Sequence, residues 1–101
     1  MNTIDTTFTF RNMESTEALR IHVMDKLERV KKYLMSTADV HCILKVEGAR
    51  HLAEITLNVR GGRYVGHAIS NDMYTSIDGA VDRIVKQLSR IKERRKGHKG
   101  E

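Results

Sequence analysis

Arg83, Lys86, Arg90 and Arg94 recur at intervals of three, four and four residues near the end of a 101-residue sequence. On an α-helix that spacing gathers the four cations into one row, about 16 Å long at 1.5 Å per residue. Such a row forms no covalent bonds. Its chemistry is to neutralise an array of anions, and the phosphates of a nucleic acid strand are such an array. Gly79 falls on the same side of the helical wheel, one turn before Arg83. Glycine inside a helix costs about 1 kcal/mol relative to alanine, so it either admits the close approach of another backbone or is simply tolerated. A second row is formed by His22, Lys26, Arg29 and Tyr33, at intervals of four, three and four. Two cations and two rings in one line suit phosphate contacts with stacking. Long cationic side chains also edge an apolar core for packing alone.

Other reactive residue types lack the arrangements that catalysis needs. His41 and Cys42 are adjacent in a strand-like segment, so their side chains point to opposite faces and form no dyad. The single cysteine, Cys42, is expected to be a small buried hydrophobe. It leaves no internal disulfide, which fits a reducing compartment. His22, His51, His67 and His98 are scattered without metal-ligand spacing. Asp72, Asp78 and Asp82 share a helix with no partner cluster, so capping and solvation are their expected roles. No enzyme activity, metal or cofactor, and no small-molecule substrate, is expected.

The charge distribution gives the cations their context. Residues 1–82 carry ten Lys or Arg against eleven Asp or Glu, a balance of −1, while residues 83–101 carry eight against two, a balance of +6. The positive excess is therefore confined to the last helix and its tail, which points to a polyanion. A membrane surface is the weaker choice, because this helix needs its apolar face for the fold. Met1 to Phe10 lacks the pattern of a signal peptide, and no segment is apolar for long enough to span a bilayer. A cytoplasmic protein is expected.

The elements that position these residues follow from periodicity. Ile4, Thr6, Phe8 and Phe10 alternate as in a half-buried strand. Ser15 or Thr16 caps a helix from about Thr16 to Leu34 whose apolar face is Leu19, Val23, Leu27, Val30 and Leu34. Val40 to Val46 and Ala53 to Val59 alternate as two further strands, and Gly61-Gly62 signals a hairpin turn into a fourth. In that fourth strand Tyr64, Gly66 and Ala68 share one face; their small size assigns them to the side that a helix covers. Asn71 or Asp72 caps the final helix, which buries Ile77, Val81, Ile84 and Leu88, with Ile91 on the same side of the wheel. The predicted class is α+β, in the order βαβββα, with both helices on one face of a four-stranded sheet. Residues 1–96 are expected to form a single domain, and residues 97–101 a short disordered basic tail.

The segments STEALRIHVMDKLERVKKY, ILKVEG, LNVRGGRYVGHA and DMYTSIDGAVDRIVKQLSRIKERRK together resemble, in order, the bacterial ribosome hibernation promoting factors and their relative, the ribosome-associated inhibitor. The resemblance spans nearly the whole chain and rests most on D-M-Y, I-D-G and K-Q-L in combination. It implies a βαβββα fold similar to a double-stranded-RNA-binding domain. The implied protein binds ribosomal RNA of the small subunit, in the channel used by mRNA and tRNA, and blocks translation in stationary phase. Lys26, Arg29, Lys86, Arg90 and Arg94 match positions where the family keeps basic residues. The basic ending RRKGHKGE implies the short form, which promotes dimerisation of inactive ribosomes beside ribosome modulation factor. Y-T-S after Met73 is closer to the inhibitor, so silencing of single ribosomes stays open as an alternative. A free-standing duplex-RNA-binding module and a module for an acidic protein partner are further alternatives.

Overall fold

The computed structural model describes residues 3–99, with side chains through Lys92. The elements are β1 (Ile4–Arg11), α1 (Glu17–Lys31), β2 (Ala38–Glu47), β3 (Arg50–Val59), β4 (Gly62–Ser70) and α2 (Met73–Lys99). The expected βαβββα order is thus observed. The sheet order is β1-β2-β3-β4, with β1 and β2 parallel and the other pairs antiparallel. Ile4, Thr6, Phe8 and Phe10 pair with Ala38, Val40, Cys42 and Leu44, which places the alternating apolar residues of both strands on the covered face. Leu19, Val23, Leu27, Val30 and Leu34 of the α1 segment are buried with Ile77, Val81, Ile84 and Leu88 of α2. Each fully buried Leu or Ile contributes about 2 kcal/mol. Burial also pushes the Cys42 thiol up to about 12, so it remains a neutral, unreactive member of this core.

Local chemistry sets the ends of the elements. Thr16 is the cap of α1, its hydroxyl accepting the Leu19 N–H at 3.1 Å. Regular helix ends at Lys31 rather than Leu34. Tyr33 N–H then donates to Val30 O and Leu34 N–H to Lys31 O, both at 3.0 Å. These tighter turns swing Leu34 into the core while the chain leaves the helix. Asp72 caps α2, its Oδ2 accepting the Thr75 N–H at 3.1 Å and the Thr75 hydroxyl at 2.8 Å. Those bonds hold its carboxyl below the usual carboxylate range. The hairpin differs from expectation by one residue. Val59 pairs with Gly62, so Arg60-Gly61 is the two-residue turn, and Gly61 supplies its positive φ of 86°.

The placement of α2 follows from small residues in β4. A Cβ on Gly66 would lie 1.9 Å from the Ala80 carbonyl oxygen, so helix backbone rests directly on the strand. This bears out the assignment of Tyr64, Gly66 and Ala68 to the covered face. Ser76 Oγ donates to His51 O at 2.6 Å and lies 2.6 Å from Ser70 Oγ, which ties the start of α2 to β3 and β4. Farther along, Gln87 Nε2 donates to Val65 O at 2.9 Å. The helix spans the first three residues of the expected tail, 97–99; residues 100 and 101 lie outside those described.

Candidate nucleic-acid interface

The sheet leaves both helices on one face of the molecule, and α1 packs against α2 as well as β1. Two charge arrangements result. On the outer side of α2, Arg83, Lys86 and Arg90 are exposed, and none forms an ion pair among the described residues. Arg94 belongs to the same helix, but its side chain lies outside those described. Ile77, Val81 and Ile84 hold the opposite side of the helix in the core. The three described cations are therefore anchored through the backbone of α2, with their charged ends free to meet anions in solvent.

Between the helices the cations have partners. His22 Nε2 lies 2.7 Å from Asp78 Oδ1, Lys26 Nζ 3.9 Å from the same oxygen, and Arg29 NH1 2.5 Å from Asp82 Oδ1. Asp78 and Asp82 are thus not explained by capping or solvation: they form an acidic strip against the basic row of α1. The signal was in the sequence as two complementary rows, acids four apart on one helix and cations on the other. These pairs are partly exposed, with side-chain exposures of 34% for Lys26 and 47% for Arg29. Each is worth about 0.2–1 kcal/mol. About a third of the Lys26 side chain and about half of the Arg29 side chain remain open to solvent and to a further anion. Arg83 follows Asp82 directly and Lys86 follows it by one helical turn, so the free row begins at the border of the paired seam.

The ring residues of the first row are also placed. His22 meets the Tyr74 ring edge-on, with centroids 4.9 Å apart; Met73 is buried and Tyr74 exposed, as core and core-edge residues should be. Tyr33 is partly buried against the core, with the Nζ atoms of Lys32 and Lys92 5.4 and 5.7 Å from its ring centre. Gly79 does not face outward as the wheel implied. A Cβ there would lie 3.0 Å from Ala68 Cβ, so its partner is β4 rather than an approaching ligand.

His41 lies on the open sheet face, its two ring nitrogens each 3.0 Å from Thr7 and Thr9 hydroxyls, while Cys42 is buried on the opposite face. Among the described residues no group of His, Cys, Asp or Glu could hold a metal ion. No helix among them is long and apolar enough to cross a membrane. The arrangement is suited to binding an extended anion along α2 and the adjoining seam.

Residues 6–96 match the family described as Sigma 54 modulation protein / S30EA ribosomal protein. A ribosome hibernation promoting factor of Salmonella typhimurium is 40% identical over 90 residues, covering 89% of this chain and 95% of the relative. Its Escherichia coli K12 counterpart is 39% identical with the same coverage. The fold matches the N-terminal domain of Thermus thermophilus Protein Y with a TM-score of 0.79 and 31% identity, covering 86% of this chain and 98% of that one. A ribosomal subunit interface protein of Coxiella burnetii has the same fold, with a TM-score of 0.73 at 23% identity over 92% of this chain and 99% of its own.

Proposed function

Because this chain belongs to the Sigma 54 modulation protein / S30EA ribosomal protein family, we propose that it is a ribosome hibernation factor that silences the ribosome by occupying space on its small subunit. The site is the channel for mRNA and tRNA, and the bound anions are phosphates of ribosomal RNA. The observation that carries this reading is the unpaired row Arg83, Lys86 and Arg90, fixed on a helix whose other side is core. Arg94 extends the row, and Lys26 and Arg29 add contacts by exchanging part of their pairing with Asp78 and Asp82 for phosphate. His22 and Tyr33 flank those contacts; Gly79 is withdrawn from the set because it packs on Ala68. The protein acts without catalysis, in the cytoplasm and on the ribosome. Together with ribosome modulation factor it promotes the pairing of inactive ribosomes.

Co-sedimentation of the purified chain with separated small and large subunits, at several salt concentrations, tests the reading. Selective recovery with small subunits is expected. Five phosphate contacts would give a log–log salt slope of about −4.5, at about −0.9 per contact in duplex nucleic acid. Equal recovery with both subunits, lost together as salt rises, would reduce the row to a non-specific cation patch. Adding ribosome modulation factor and looking for paired ribosomes then separates a dimer-promoting factor from one that silences single ribosomes.

A further inference from the structure

Beyond the seam, where α1 ends, a cavity of about 550 Å³ opens between the β3–β4 turn and the far part of α2. That volume lies within the range of pockets that hold small ligands, about 300–1,000 Å³. Leu88 contributes to an apolar floor, Tyr33 and Tyr64 supply two aromatic rings, and Lys32, Arg60 and Lys92 supply three cations. Among the described residues, no acidic one lines it. None of the three cations forms an ion pair among the described residues. The ammonium groups of Lys32 and Lys92 nevertheless both lie within 6 Å of the Tyr33 ring centre, at 5.4 and 5.7 Å.

Two like charges held beside one ring repel each other, and an anion placed between them reverses the sign of that interaction. The cations therefore call for an anion. They do not account for the tyrosines or the apolar floor, which favour a flat, weakly polar body. A nucleotide carries both parts in one molecule: a base that stacks on aromatic rings and cationic side chains, and a phosphate. We propose that this cavity binds one unstacked nucleotide, with its base against Tyr33 and Tyr64 and its phosphate on Lys32, Arg60 and Lys92. The same chemistry is offered by a nucleotide turned out of an RNA strand and by a free nucleotide. The proposal goes beyond the ribosome reading and does not need it.

The test is titration of the isotopically labelled full chain, followed by amide NMR, with AMP, a triadenylate, adenosine and pyrophosphate. AMP or the triadenylate should shift the amides of Tyr33, Gly61 and Leu88, with adenosine and pyrophosphate binding at least tenfold more weakly. Lys32→Ala with Lys92→Ala, both at exposed positions, should weaken nucleotide binding at least tenfold and leave Tm unchanged. A triadenylate at least tenfold tighter than AMP assigns the site to an RNA strand; AMP as tight or tighter assigns it to a free nucleotide. Pyrophosphate binding as tightly as AMP would overturn the proposal in favour of a bare anion patch. So would the absence of nucleotide-dependent shifts at the cavity, or shifts confined to Arg83, Lys86 and Arg90. Failure here leaves selective co-sedimentation with small subunits untouched, so the two readings fall separately.

Discussion

The two cationic rows of this protein are built from the same residue types and differ in what faces them. On α1, Lys26 and Arg29 look across a seam at Asp78 and Asp82, and much of their charge is already used within the fold. On α2, Arg83, Lys86 and Arg90 look at solvent and have no ion pair among the described residues. A charge used within the fold and a charge left open to solvent are therefore separated by no more than about one helical turn. What decides between them is the neighbouring element, not the residue. The paired row joins two helices, and the unpaired row leaves its electrostatic potential in solvent.

Substitutions should separate these roles. Gly66→Ala disturbs both rows at once, since its Cβ would collide with the Ala80 carbonyl and lift α2 from β4. A loss of about 3 kcal/mol is expected from overpacking against backbone, read by urea denaturation. A wild-type midpoint would refute the tight helix–strand contact. Lys86→Glu with Arg90→Glu should instead lower ribosome binding about 100-fold at moderate salt, with stability within about 0.5 kcal/mol of wild type, as for exposed positions. Unfolding of that variant would show that the row is structural after all.

Smaller effects bear on the seam. Lys26→Glu with Arg29→Glu sets new carboxylates against Asp78 and Asp82, so stability should fall by about 1–2 kcal/mol as attraction becomes repulsion. Restoring Tm by adding Asp78→Lys and Asp82→Lys would confirm the pairing, and an unchanged Tm in the first variant would dissolve the distinction between the rows. The smallest effect concerns the start of α2. The Asp72 carboxyl is held below its ordinary value near 3.8 by its bonds to Thr75. Its stabilisation is therefore present above that ordinary value and is lost as pH falls through the lower folded value. Asp72→Asn should be less stable than wild type at pH 7, and the difference should shrink as pH falls below the ordinary carboxyl value near 3.8 in parallel denaturation curves.

Much of this architecture was legible because it rests on period. The apolar faces of α1 and α2, the inward Cys42 beside the outward His41, and the small residues of β4 all follow from alternation or a helical repeat. What period does not carry is the angle at which one helix meets another element. A wheel drawn on α2 alone puts Gly79 outside, because it counts only from the apolar stripe; β4 lies under that flank, so Gly79 meets Ala68. The same limit hid the work of Asp78 and Asp82. Their spacing is visible on one helix and that of His22, Lys26 and Arg29 on another, but a facing pair exists only once the crossing is known. The cavity beside Tyr33 was out of reach for a third reason, since its walls come from three separate parts of the chain.

The bond from Gln87 to Val65 has a consequence for the company the protein keeps. β4 is an outermost strand of the sheet, and the free edge of such a strand is a template on which another chain can add and aggregate. Gln87 takes the Val65 carbonyl for itself, removing an acceptor that an incoming strand would need. Its neighbours in sequence, Lys86 one residue before and Arg90 three residues after, add mutual repulsion between copies. The helix that carries the open cationic row thus also withholds an edge acceptor that a second copy would need to add as a strand.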